Sequence, residues 1–434
     1  MLFSIEQHPL FVSFQDTCFF NKNLPKTSCI CEKSAMFVFY CKYNNCKRNN
    51  FMKTESKILI DNPFVVGKYV SEEYFCDRLE ETKTLIKHIE NGRNVALISQ
   101  RRIGKSGLIE HTFGQPQIES RYYTFFIDIY GTRSFAEFIY ILGKGIFEQL
   151  KTRDKKFRER FSQIVRSLKV GFSVDVVTAL PTLDLSLGDV SSPDITLDEI
   201  FAYIDSADKP CVIAFDEFQQ IANYPDGERV EALLRTKIQH CKNAQFIFAG
   251  SKRHLMAKMF MSAAKPFYQS VLTMGLSPIP YDSYLKFAQE KFCDYGKSVS
   301  EDVVEKVYNM FDGTSWYVQM MMNELFALTA QGETCNIEKV SIAFANVIGI
   351  QDMAFRELMN RIPAKQKQVL MAVAKDGEAK SITSGAFIKK HRLLSASSVQ
   401  VASKALLNED ILTQENGTYR VYDYFFAEWI KENF

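Results

Sequence analysis

No stretch of this 434-residue chain approaches the roughly 20 consecutive apolar residues that a membrane-crossing helix requires. An excess of either charge is lacking too. Fifty-three Lys and Arg stand against 51 Asp and Glu, a formal net charge of +2. Contact with nucleic acid would therefore have to come from a local basic patch, not a global field. The opening MLFSIEQHPLFVSF has no basic start, unbroken apolar stretch or small-residue cleavage site of the kind a secretory signal needs. A cytoplasmic location is the default expectation. Internal repeats and low-complexity segments are absent. Paired metal ligands are missing as well. Cys18, Cys29, Cys31, Cys41 and Cys46 all precede Met52. Cys29 and Cys31 are spaced too closely for the usual zinc pair, and no second CxxC or paired histidine completes a site. Cys76, Cys211, Cys241, Cys293 and Cys335 are scattered singly and read as reduced small hydrophobes.

What is present is a globular composition, 46% hydrophobic and 24% charged, on a chain long enough for two or three domains. Ordered patterning begins just after Met52, at KTESKILIDNPFVVGKYV. Residues 1–51 are therefore read as an upstream extension with the natural start at Met52, in preference to a small metal-binding appendage. From Asp61 strand-like and helix-like segments alternate. NVALIS (94–99), YYTFFIDIYG (122–131), CVIAFDEF (211–218), AQFIFAGS (244–251) and the weaker SVLTMGL (270–276) read as strands, with helices between them. That order predicts a parallel sheet covered on both faces, over residues 52–278. A β-hairpin insertion is expected near 170–189, where VGFSVDVVTALPTLDLSLGD alternates with period two. Residues 279–354 read as a helical lid and 355–434 as a compact helical unit closed by a hairpin at Asn416-Gly417.

The chemistry concentrates in LISQRRIGKSGLIE, Leu97 to Glu110. Its end follows the phosphate-loop pattern GxxxxGK(S/T), but Ser99 stands where the first glycine belongs. A turn between a buried strand and a helix points backbone N–H groups inward, and the helix N-terminus adds positive potential. The candidate loop is Ser99, Gln100, Arg101, Arg102, Ile103, Gly104, Lys105, Ser106 and Gly107. Gly104 permits close backbone approach, Lys105 supplies charge to the outer phosphates, and Ser106 can coordinate Mg²⁺. Ser99 restricts the loop entry but offers no side chain that phosphate or metal requires, so glycine should be tolerated there. About a hundred residues on, an apolar strand ends in Asp216-Glu217 at the sheet's carboxyl edge, where open α/β sheets bind ligands. Asp216 can hold Mg²⁺, and Glu217 can orient and deprotonate the attacking water. Basic loop and acidic strand together point to an ATPase with ATP and Mg²⁺ as cofactors.

Several further stretches carry a resemblance: NPFVVGKYV, YFCDRLEE, SQRRIGKSGL, VIAFDEFQ, LLRTKIQ, FIFAGSKRHLM and PFYQSVLTMGL. Together they resemble the archaeal-type predicted ATPases, a branch of the AAA+/STAND P-loop proteins also common in Bacteroidetes-like bacteria. The likeness runs from about Asp61 to the C-terminus. It implies an AAA+-like P-loop NTPase sheet, then a helical lid, then a winged helix-turn-helix. It places Arg78 and Glu81 near the adenine, Asp216 and Glu217 as metal-associated and catalytic acids, and Ser251 as the polar sensor of the γ-phosphate. Two departures stand out. Gln269 occupies a position where relatives carry arginine, and GTSWY (313–317) replaces Gly-x-Pro in the lid. Arg235 is then the matching arginine left to stabilise charge, although a solvated helix position accounts for it equally well. Slow hydrolysis, or a switch that mainly binds ATP, follows as an expectation.

At the C-terminus PAKQKQVLMAVAKDG, TSGAFIKKHRLL and SASSVQVASKALLNEDIL read as three helices before the hairpin, the order of a winged helix. The third would turn Ser397, Ser398, Gln400 and Lys404 outward and Val401, Ala405 and Leu406 inward. Lys389, Lys390, His391 and Arg392 form a basic cluster able to meet phosphates. Duplex DNA and a protein partner both remain open as occupants. So do an ATP-hydrolysing switch and a nucleotide-dependent regulator or scaffold, in defence or signalling, with negligible turnover.

Overall fold

The computed structural model describes residues 61–151, 161, 163, 165, 170–174, 181–185 and 192–434. The expectations for residues 1–51 and for a start at Met52 lie outside the described residues. The chain runs through α1 (Leu79–Glu90), β1 (Val95–Ile98), α2 (Lys105–Phe113), α3 (Pro116–Glu119), β2 (Tyr123–Asp128) and α4 (Phe135–Lys151). Strands β3 (Val170–Val174) and β4 (Pro181–Leu185) pair antiparallel with each other. Then come α5 (Pro193–Asp205), β5 (Cys211–Asp216), a 3-10 segment (Phe218–Asn223), α6 (Gly227–His240), β6 (Ala244–Gly250), α7 (Arg253–Met261) and β7 (Leu272–Met274).

Five strands make one parallel sheet in the order β2-β5-β6-β1-β7. Strand β6 therefore stands between the strand that feeds the phosphate loop and the one that ends in acids. Runs such as VALI and CVIAFD are apolar at successive positions because this sheet is covered on both faces. Val95, Leu97, Val212, Ala214, Ile247 and Ala249 pack with Leu85, Ile89, Leu108 and Ile109 of α1 and α2. The alternate residues Ala96, Ile213, Phe215, Phe246 and Phe248 pack with Phe138 and Leu142 of α4, Ile200 of α5 and Leu234 of α6.

The helical part contains α8 (Tyr281–Asp294), β8 (Ser298–Val299), α9 (Glu301–Met310), α10 (Ser315–Leu328), β9 (Thr334–Cys335) and the long α11 (Glu338–Arg361). The C-terminal unit follows as α12 (Ala364–Asp376), β10 (Ala379–Lys380), α13 (Gly385–Lys390), α14 (Ala396–Asn408), β11 (Leu412–Glu415), β12 (Thr418–Val421) and α15 (Tyr424–Asn433). Its sheet has the order β10-β12-β11. The wing turns at Asn416 and Gly417, with φ of 48° and 78°, the left-handed pair that a tight hairpin needs. Ser384 and Ser395 cap α13 and α14, accepting from the N–H groups of Phe387 and Ser398 at 3.3 and 3.2 Å.

Residues 354 and 355, where the helical part and the winged unit are expected to meet, lie on one continuous helix, α11. Val340 and Val347 before that point and Phe355 and Met359 after it enter one hydrophobic cluster that extends from Phe64 to Ile430. The helical part and the winged unit share a core. On α14 the inward stripe is Val399, Ala402, Ser403 and Leu406, an i, i+3, i+4, i+7 set. Val401 lies off that stripe and is 72% exposed, so its expected inward packing does not hold. No helix among the described residues is long and apolar enough to cross a membrane.

Candidate nucleotide site

The site forms where β1 passes into α2. Arg102 and Gly104 take left-handed backbone, with φ of 66° and 100°. At Gly104 a Cβ would meet nothing within 4 Å, so conformation and not crowding calls for glycine. The first bond closing α2 runs from Leu108 N–H to Gly104 O at 3.0 Å. The N–H groups of Lys105, Ser106 and Gly107 thus fall outside the helix's own ladder, as an anion site requires. Lys105 is 5% exposed, and its Nζ donates to the carbonyls of Ser99 and Gln100 at 3.1 and 2.9 Å. Burial pushes its ammonium below the usual range, while Glu217 and Asp216 act against that shift.

The acids arrive from β5. Ser106 Oγ donates to Asp216 Oδ2 at 2.5 Å, which joins loop and acidic strand across 110 residues. Burial pushes the Asp216 carboxyl above its usual range, and the Ser106 hydrogen bond opposes this. A hydroxyl and a carboxylate are the hard oxygen donors that Mg²⁺ takes alongside phosphate oxygens and water. Among the described residues no group of three or more His, Cys, Asp or Glu side chains could cage a metal by itself. Glu217 adopts φ 54°, a left-handed turn that carries some strain for a non-glycine residue. Its N–H donates to Asp216 Oδ1 at 2.9 Å. Ser251, at the end of β6, donates its Oγ to Glu217 Oε2 at 2.8 Å. Gln219 Nε2 donates to the same oxygen.

The rest of the loop turns toward the helical part. Gln100 Nε2 donates to Thr314 Oγ1 at 3.3 Å, and Ser315 Oγ donates to Ile103 O at 3.2 Å. Arg102 Nη1 lies 2.6 Å from Asp423 Oδ2 and also donates to Tyr317 OH. Its guanidinium sits 4.2 Å from the centre of the Trp316 ring. Arg102 O accepts from Trp316 N–H at 3.0 Å. Expected among the phosphate contacts, Arg102 points instead at the helical part and the winged unit. Arg101 is exposed, with its guanidinium 5.6 Å from the Tyr130 ring centre. Arg78, 3% exposed, donates to Ile103 O at 3.1 Å and to Glu81 at 2.8 Å, which braces the loop from behind. Gln269 is exposed. Arg235 sits on α6 with its Nε buried and unpartnered, and no described hydrogen bond ties it to the acids.

Ser99 has a role that the sequence did not show. It is 2% exposed, and its Oγ accepts the N–H of Leu276, just after β7, at 2.5 Å. Glycine would leave that buried donor unmet, a cost in folding that is separate from the tolerance expected for nucleotide binding. Ser99→Gly should lower folding stability by about 1–3 kcal/mol. An unchanged chemical-denaturation midpoint would show the tether to be idle. The sequence also missed Gln219, Thr314 and Asp423. Only Gln219 carried a local signal, two residues beyond the acidic pair.

The family model described as an ATPase domain predominantly from Archaea matches residues 75–321, more than half of the chain. A second model, described as a probable winged helix domain, matches residues 353–432. Among solved structures the chain is similar to the Walker-type ATPase of Pyrococcus abyssi, at 19% identity and a TM-score of 0.60. That match covers 85% of this chain and 99% of the other. It is also similar to the ORC2 protein of Aeropyrum pernix, solved in ADPNP–ADP complexes, at 12% identity and a TM-score of 0.54. Here 85% of this chain and 95% of the other are covered. At such identities these likenesses speak to the fold alone. No match was found among curated proteins.

Proposed function

Because the chain belongs to the family of ATPase domains found predominantly in Archaea, we propose that it is an ATP-hydrolysing switch whose phosphate loop reports to the winged helix through Arg102. One observation carries this reading. Arg102 belongs to the loop by sequence, yet its guanidinium is bound to Asp423, 321 residues away. The two side chains are 25% and 19% exposed, so water screens the pair less than it would a surface bridge. Two further ion pairs join the winged unit to α7 and the residue before it: Lys252 to Asp410 at 2.9 Å and Arg253 to Glu415 at 3.1 Å. All three place the base on the ATPase side and the acid on the winged side. Because lid and winged helix share a core, they move as one body, and a shift of the loop around phosphate acts on that body directly.

In the hydrolytic step the loop's N–H groups and Lys105 hold the phosphates. Glu217 takes the proton of the attacking water, and Ser251 senses the terminal phosphate through Glu217. A Mg²⁺ ion held by Ser106 and Asp216 would neutralise charge on the outer phosphates. Turnover is slow in this reading, because Gln269 offers no cation where the resemblance implies an arginine.

Asp423 separates the switch from simple folding. Its Oδ1 caps α15 through the N–H groups of Phe425 and Phe426 at 3.0 and 3.2 Å, while Oδ2 meets Arg102. Asp423→Asn keeps an acceptor for the cap and removes the charge facing Arg102. It should change ATP affinity about fivefold or more, the scale of a coupling near 1 kcal/mol, and Arg102→Ala should add little to it. Parent-like binding and turnover in Asp423→Asn would remove the coupling.

A second reading, a nucleotide-dependent DNA-binding regulator, is favoured by the exposure of Lys389, Arg392, Gln400 and Lys404. Lys390 and His391 contribute less, since both lie against Asp376, at 2.7 and 3.1 Å. Exposed Leu394 and Val401, close in sequence to these residues, suit protein docking instead. Titrating a short duplex at several salt concentrations decides between them. DNA recognition predicts a salt slope that Lys389→Ala with Arg392→Ala flattens by about two phosphate contacts.

A further inference from the structure

Glu217 has a second partner besides Ser251. Its Oε2 accepts from both Ser251 Oγ and Gln219 Nε2. Gln219 lies in the 3-10 segment that follows the acidic pair and is 3% exposed. A carboxylate only accepts, so the amide must turn its nitrogen toward Glu217. This leaves Gln219 Oε1 on the far side, buried and without a hydrogen-bond partner. Room for it comes from Gly250, the last residue of β6. A Cβ at Gly250 would stand 2.5 Å from Gln219 Oε1 and 2.4 Å from Met256 Sδ. A buried acceptor with no partner opposes folding, and an apolar side chain of the same length would avoid that cost. What glutamine adds over such a side chain is the N–H aimed at Glu217.

We propose that Gln219 is a positioning residue for hydrolysis. Together with Ser251 it pins Oε2 of Glu217, which leaves Oε1 to meet the attacking water, and Gly250 provides the clearance. The two donors follow adjacent strands, Gln219 in the 3-10 segment after β5 and Ser251 directly after β6, so a displacement of either segment turns the base. This inference rests on Glu217 being the base of an ATPase.

The test compares the full chain with Gln219→Met, Gly250→Ala and the double variant. Saturating turnover, ATP affinity by calorimetry and melting temperature are measured for each. Gln219→Met keeps length and removes the donor, so kcat should fall about tenfold or more while affinity stays within about twofold of the parent. Gly250→Ala displaces the amide and should lower kcat in the same way. The double variant should be no slower than the worse single, since both act through one hydrogen bond. Parent-like kcat in Gln219→Met would overturn the inference. So would a loss of kcat matched by an equal loss of affinity, which marks a merely structural role. Absence of turnover in the parent is a different result, because it removes the hydrolysis reading beneath this one.

Discussion

Replacing Lys105 by alanine is expected to weaken ATP·Mg²⁺ binding by about 100-fold or more, while the nucleotide-free chain stays folded. The ammonium is 5% exposed and pressed down by burial, and two loop carbonyls hold it within the phosphate loop. A charge held in that way has little solvation to lose when phosphates meet it. A charge-assisted hydrogen bond in such a place contributes about 1.5–3 kcal/mol. The lysine can supply more than one, and each 1.4 kcal/mol is about tenfold in affinity. The N–H groups of Ser106 and Gly107 remain in the variant but carry only partial charge. Folding should suffer less than binding, since relief of a buried cation offsets the two loop carbonyls left without that donor. Calorimetry with ATP·Mg²⁺ reads the affinity. Thermal melts with and without nucleotide read the linked stabilisation, about 2.7 kcal/mol when ligand stands at 100 times its dissociation constant. An affinity equal to the parent's would remove the phosphate loop from its assigned place.

Much of this site was legible because its signals are local. VALI and CVIAFD announce strands covered on both faces, and GKS and DE stand at the ends of those strands, where chemistry in such sheets is placed. The order of the strands was not legible. Nothing in the text says that AQFIFAG inserts between the other two, which is what sets Ser251 beside Glu217. Arg102 shows a second limit. In a basic loop a guanidinium reads as a phosphate ligand, and its true partners, Trp316, Tyr317 and Asp423, lie more than 200 residues downstream. Ser99 shows a third: a loop pattern speaks only of what a nucleotide needs, and the Leu276 N–H that Ser99 serves lies 177 residues away. The misplacement of Val401 is an error of helical phase. An isolated exposed valine breaks no rule of composition, so only the packed stripe of Val399, Ala402, Ser403 and Leu406 fixes the rotation of α14.

Glu217→Gln is expected to leave ATP bound and to lower its turnover by about 100- to 10,000-fold, the usual range for loss of a general base. The exchange keeps shape and length and removes the negative charge that accepts the water's proton. Two features of this chain sharpen the expectation. The backbone at Glu217 is left-handed, φ 54°, and Asp216 Oδ1 holds its N–H, so the side chain leaves the sheet in a fixed direction that glutamine should keep. Oε2 is already engaged by Ser251 and Gln219. The glutamine oxygen can take over that position, accepting from the same two donors. Its nitrogen then faces the water as a donor and cannot act as a base. Binding should hold because the phosphate contacts come from Lys105 and the α2 N-terminus, neither of which Glu217 supports by a hydrogen bond among the described residues. Turnover at saturating ATP, read beside calorimetric affinity, separates the two effects. If the variant turned over ATP like the parent, Glu217 would lose its catalytic place, and the strained turn that presents it would need another explanation. If affinity fell together with turnover, the carboxylate would belong to the binding of the nucleotide and not to its hydrolysis.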